Sequence, residues 1–153
     1  MDLHPDLMDL LGAFSASKVE YLIVGGWAVM FHSEPRYTKD LGLLIGDDDE
    51  ENLTRAASAL ALFGAPSSIV DQARSLKPEE FLFFGVAPVR VDVLRRIPGV
   101  QFREAWARRV DAKWGSQMVH VIGRADLIAA KRVAGRERDL RDVKVLEKAG
   151  ANR

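Results

Sequence analysis

The chain contains no cysteine, which excludes disulfides, thiolate metal sites and cysteine nucleophiles. Long apolar runs are missing too, and nothing approaches the roughly 18–20 residues of a membrane span. The N-terminal stretch "MDLHPDLMDLL" has neither the basic flank nor the small-residue cleavage site of a secretory signal. No internal repeat, low-complexity tract or convincing linker interrupts the sequence. These absences lead us to expect a soluble cytoplasmic protein without membrane association. Net charge is absent as well, with 22 Lys+Arg against 22 Asp+Glu, but the zero hides an asymmetry. Residues 1–89 hold 6 cations against 14 acids, and residues 90–153 hold 16 against 8. Such a split can set a carboxylate-rich site against a basic surface for phosphates or nucleic acid, or can simply give two solvated faces that attract each other.

What is present is enough for one folded unit. At 153 residues and 48% hydrophobic, the chain can bury an ordinary core as a single domain. Leu3, Leu7, Leu10, Leu11 and Phe14 fall at helical spacing, predicting a helix over 3–15. "YLIV" (21–24) reads as a strand closed by Gly25-Gly26, with a helix, "WAVMFHS", after the glycine turn. "KDLGLLI" (39–45) reads as a strand, with Leu41, Leu43 and Ile45 on one face and Asp40, Gly42 and Leu44 on the other. "GDDDEENLTRAASALALFG" predicts a helix with an acidic first turn, ended by Gly64. Residues 65–78 carry no clear pattern. "EFLFFGVAPVRVDVL" predicts a hairpin turning near Gly85–Pro88, "FREAWARRV" a short helix and "SQMVHVI" a strand. After Gly123 two helices follow, the second ending at Gly150. The expected architecture is α/β (α+β): an α/β core over 1–122 and a C-terminal helical pair over 123–150.

The chemistry-bearing residues are few. Gly25 and Gly26 at a strand-to-helix junction either let backbone N–H groups approach an anion or form a plain tight turn. Asp40 and Asp92 lie in different strands, against β propensity. They read either as oxygen ligands of a metal cage or as solvent-facing strand residues. Asp47, Asp48 and Asp49 read as a helix cap and acidic first turn. Arg36 and Lys39 flank Asp40, either facing phosphates or as ordinary surface cations. Arg95, Arg96, Arg103, Arg108, Arg109 and Lys113, interleaved with Trp106 and Trp114, read as a basic helix surface with tryptophans anchored in the core. The alternative is a nucleic-acid surface. His32, with no second His or Cys beside it, reads as a packed residue.

Taken together, "YLIVGGWAVMFHSEPRYTKDLGLLI", the later "VRVDVL" and the ending "LIAAKRVAGRERDLRDVKVLE" resemble the nucleotidyltransferase superfamily with the DNA-polymerase-β-like fold. The likeness is to small bacterial minimal nucleotidyltransferases and abortive-infection-type toxin relatives, and it covers most of residues 20–148. The resemblance implies a mixed twisted sheet flanked by helices. It also implies Mg²⁺ or Mn²⁺ as cofactor and a nucleoside triphosphate as substrate, with transfer of a nucleoside monophosphate to an RNA, protein or small-molecule hydroxyl. By the same likeness Gly25, Gly26, Lys39 and Lys131 contact the nucleotide, Asp40 and Asp92 are the catalytic metal ligands, and a partner protein of a toxin–antitoxin-like pair is expected. Arg136, Asp139 and Asp142 resemble the family's ending, where an internal network is the expected role.

One position departs from the pattern. The second aspartate of the family's Asp-x-Asp pair falls at Gly42, which has no side chain to bridge two metals. Three readings stay open: a natural pseudoenzyme that keeps nucleotide or partner binding, a weakened enzyme holding one metal ion, or an inactivating substitution on an active parent.

Overall fold

The first helix begins where the sequence supplies a cap. His4 Nδ1 accepts the Asp6 N–H at 3.1 Å, and Pro5, without an N–H of its own, suits the first helical position. In the computed structural model, which describes residues 3–151, α1 (Pro5–Ala16) then buries Leu7, Leu10, Leu11 and Phe14, the spacing of one helical face. The chain continues as β1 (Leu22–Val24), α2 (Gly25–His32), β2 (Asp40–Leu44), α3 (Glu50–Phe63), α4 (Ser67–Arg74), β3 (Phe81–Phe84) and β4 (Arg90–Leu94). It ends with α5 (Phe102–Ala107), β5 (Val110–Trp114), β6 (Gln117–Val121), α6 (Arg124–Ala134) and α7 (Glu137–Ala151).

The six strands form one mixed sheet in the order β3-β4-β2-β1-β6-β5. β2 runs parallel to β4, β1 parallel to β6, and the remaining neighbours are antiparallel. Period-two patterning decides which face is apolar. Leu41 and Leu43 of β2, Val91 and Val93 of β4 and Ile23 of β1 are buried in one cluster with Leu10 and Phe14 of α1 and Leu53 and Leu60 of α3. Asn52 closes the corner: its side chain bonds both backbone groups of Glu20 and the carbonyl of Ile45, at 2.8–2.9 Å. This mixed sheet flanked by helices, with a helical pair at the C-terminus, is the architecture expected from the sequence. No helix among the described residues is long and apolar enough to cross a membrane.

Local details differ from expectation. The glycine pair is not a turn ahead of a helix but the first turn of α2 itself. Residues 65–78 hold a further helix, α4, and 110–114 hold β5, an edge strand paired only with β6. α7 runs through Gly150 rather than ending there.

Candidate functional site

The site is built around the junction of β1 and α2. Val24 is the last residue of β1 and the N-cap of α2, with no side-chain cap bond, since valine offers the helix's first N–H groups no acceptor. Gly25 takes φ +70°, a conformation L side chains rarely adopt. Gly26 is required by space: a Cβ there would lie 2.5 Å from Thr38 Oγ1. The connector carrying Arg36 and Lys39 can therefore pack against the start of the helix.

Strand register then assembles the acids. Val24 pairs with Gly42 across β1–β2, and the parallel β2–β4 ladder sets Asp40 level with Arg90 and Gly42 level with Asp92. Cross-strand neighbours share a face, so Asp40, Gly42, Arg90 and Asp92 lie together. The Asp40 carboxyl is held above its usual range, first by burial, then by the hydrogen bond and negative charge of Asp92. The charges of Arg90 and Arg138 offset part of this. Asp92 is itself engaged, since Arg90 Nε donates to its Oδ1 at 2.9 Å. The Arg90 guanidinium is fixed in turn over the Phe83 ring, 4.2 Å from its centroid.

Position 42 leaves little room for a replacement ligand. A Cβ on Gly42 would lie 3.1 Å from Val24 Cγ2 and 3.5 Å from the Val24 carbonyl oxygen. Among the described residues, no group of three or more His, Asp or Glu is placed to hold a metal ion. Two carboxylates, one of them tied to an arginine, do not fit the two-metal centre that the resemblance implies, where a shared acid bridges both ions.

The opposite wall is basic. Gly25, Gly26 and Asp40 open onto a cavity of about 510 Å³ lined by six cations: Arg36, Lys39, Lys131, Arg136, Arg138 and Arg141. Asp142 is the one other carboxylate on the lining. Part of this wall is a fixed lattice of ion pairs. Arg36 Nη1 meets Asp142 Oδ1 at 2.6 Å, Lys131 Nζ meets Asp142 Oδ2 at 2.9 Å and Asp139 Oδ1 at 3.4 Å, and Arg136 Nε meets Asp139 Oδ2 at 2.6 Å. Lys131 is thus held between α6 and α7 while still lining the cavity. Lys39 and Arg138 are exposed on its wall. A smaller slot of about 170 Å³ shares Gly25, Lys131 and Arg136 with the cavity, and adds the apolar residues Val24, Ile97, Leu127 and Ala130.

The structure brings Gly25, Gly26, Lys39, Asp40 and Lys131 to one cavity, with Asp92 beside Asp40. The sequence reading missed Arg138 and Arg141. Their i, i+3 spacing, on either side of Lys131's partner Asp139, was the available signal. Other charged groups lie elsewhere. Asp49 caps α3 through the Glu51 N–H, while Asp47 pairs with Arg96 and Asp48 with Arg103. Arg95 is buried against the Gly46 and Leu76 carbonyls and Glu50, and Arg108 and Arg109 pair with Asp126 and Asp111. Trp114 is buried and Trp106 partly so. These arginines are paired within the protein, Arg95 in its interior and Arg96, Arg103, Arg108 and Arg109 at partly exposed positions. His32 is buried, its Nε2 2.7 Å from the Ile122 carbonyl oxygen.

No protein-family model matches the chain, and no curated protein matches it. Among solved structures, it is similar to an antigenic nucleotidyltransferase-like protein from Paracoccidioides brasiliensis, at 16% identity and a TM-score of 0.50. The match covers 94% of this chain and 74% of the other. At that identity the shared property is the fold, one that occurs in a nucleotidyltransferase-like protein.

Proposed function

We propose that this chain is a nucleotide-binding module on a nucleotidyltransferase-like fold, in which transfer chemistry is disabled at residue 42. The observation that carries the reading is the six-cation cavity opening on the glycine start of α2, beside an acid pair that lacks its third member. A triphosphate suits this wall. The α2 N-terminus favours anions, Gly25 and Gly26 allow close backbone approach, and Lys39, Lys131 and Arg138 offset charge. The adjoining apolar slot suits the flat, weakly polar face of a nucleobase, which favours a nucleotide over inorganic polyphosphate. Asp40 and Asp92, with Arg90 on one and glycine opposite, provide no adequate group for activating an attacking hydroxyl.

The test has two arms. ATP binding followed by calorimetry is expected for the chain as it stands, and Lys39→Glu with Arg138→Glu should weaken it at least about tenfold. Absence of binding, or indifference to the double reversal, overturns the reading. Labelled ATP incubated with RNA and protein fractions should give no transferred label with the native chain. Label appearing with Gly42→Asp alone would identify a site complete except for one carboxylate. A second reading, a weakened transferase acting on an RNA, protein or small-molecule hydroxyl, is favoured by the meeting of Asp40 and Asp92 on one strand face. Label transferred by the unaltered chain would establish it and remove the first.

A further inference from the structure

The acid side and the basic side of the site disagree about what should neutralise a bound polyphosphate. A divalent ion escorting a triphosphate needs carboxylate oxygens with free lone pairs turned toward the phosphates. Here Asp92 already carries a counter-ion. Arg90 Nε holds its Oδ1 at 2.9 Å, and the guanidinium is braced by Phe83 at 4.2 Å. The Asp92 side chain is 18% exposed and the Arg90 side chain 38%, so the carboxylate end of the pair is largely covered while the guanidinium stays in reach of solvent. Gly42 adds no oxygen, and Val24 crowds the place where one would enter. On the phosphate side, six cations and two carboxylates line the cavity, with Asp139 and Glu137 behind them pairing Arg136 and Arg141, so that Lys39 and Arg138 are the cations without an ion pair among the described residues. One of those carboxylates, Asp142, is already divided between Arg36 and Lys131.

We propose that the cavity takes the nucleoside triphosphate as the free anion, without a divalent ion, Arg90 occupying the carboxylate that such an ion would need. This inference rests on the nucleotide-binding reading above. Magnesium removes two negative charges from the ligand before it meets a wall of guanidinium and ammonium groups, and adds a cation beside Arg90. Both effects weaken binding where the protein supplies the positive charge itself. A planar guanidinium exposed on the wall, such as that of Arg138, suits direct contact with phosphate oxygens.

The experiment is calorimetric titration of the whole chain with ATP, in EDTA and in excess MgCl₂ at matched ionic strength. The affinity in EDTA is expected to equal or exceed that in magnesium, by up to about fivefold. Binding seen only with magnesium, or about tenfold tighter with it, overturns the inference while leaving the nucleotide-binding reading standing. Binding in neither condition overturns both. Arg90→Gln supplies an internal check, because it frees Asp92. The EDTA-to-magnesium affinity ratio should move toward magnesium by about fivefold or more, while Arg90→Lys, which keeps the charge, should leave the ratio near its native value. An unchanged ratio in Arg90→Gln overturns the assignment of Arg90.

Discussion

Asp40 is a residue the fold keeps at a cost. Its carboxyl titrates above its usual range because burial, and then the hydrogen bond and charge of Asp92, disfavour the ionised form. A carboxyl whose folded pKa is raised contributes stability that is fully present below its unfolded value, near about 3.9. That contribution is lost as pH rises through the folded value. Near neutrality, then, the ionised Asp40 destabilises the fold relative to a neutral isostere. Asp40→Asn is expected to unfold at a higher urea concentration than the native chain at pH 7, with the difference gone at pH 3. A native chain more stable than Asp40→Asn at pH 7 would mean that Asp40 is paired with a cation there, against the geometry described above. Such a residue is retained for what it faces, and Asp40 faces the cavity.

The α6–α7 hairpin illustrates the opposite electrostatic case, and it is the element on which the cavity depends. Burial alone would push Asp139 and Asp142 upward. For Asp139 the hydrogen bond from Arg136 and the charge of Lys131 win, and for Asp142 the bonds from Arg36 and Lys131 win, so both lie below the usual range. Their stabilising contribution is present above the unfolded pKa and is lost as pH falls through the folded one. Asp139→Ala leaves Lys131 with Asp142 alone and removes Arg136's partner, so we expect a loss of about 2–3 kcal/mol at pH 7. Urea titration should show that gap closing in acid. Arg141→Ala, whose bond to Glu137 is exposed on both sides, should cost no more than about 0.5 kcal/mol, and equal losses in the two variants would refute the lattice as a support. The sequence announced these two helices and most other elements because their patterns are local. Leu7, Leu10, Leu11 and Phe14 spell one helix face, and Asp49 and Gly64 mark the ends of α3. β5 was hidden because Arg108 and Arg109 extend the helical look of "FREAWARRV", whereas the helix stops at Ala107. An edge strand with exposed Asp111 and Lys113 also carries a weak apolar signal. α4 was hidden because no side chain caps it at Pro66. Within the site, the glycines and Asp40 form a local motif. The cations of α7 reach the cavity only because α7 packs against α2, which no short window of sequence encodes.

Across the whole molecule, the two halves of opposite charge meet unevenly. At the C-terminal ends of β2 and β4, arginines of the basic half are matched by acids of the other half: Arg95 with Glu50, Arg96 with Asp47, and Arg103 with Glu20 and Asp48. At the N-terminal end of β2, where Asp40 lies, four of the six cavity cations are paired with Asp139, Asp142 or Glu137, while Lys39 and Arg138 make no ion pair among the described residues. The sheet therefore separates an end where the charges are matched from one where two exposed cations are left over, and salt should act on the two ends differently. Most of the matched pairs are partly exposed, so each contributes little and the apolar core carries the stability. The end with cations left over binds its ligand through charge, which added ions screen once the Debye length falls below the width of the cavity. Raising NaCl from about 0.05 to 0.5 M is therefore expected to weaken ATP binding roughly tenfold or more, while the unfolding free energy changes by less than about 1 kcal/mol. Calorimetry and urea unfolding on the same samples make the comparison. A large loss of stability with unchanged binding would invert the assignment, placing the working electrostatics in the seam between the halves rather than in the cavity.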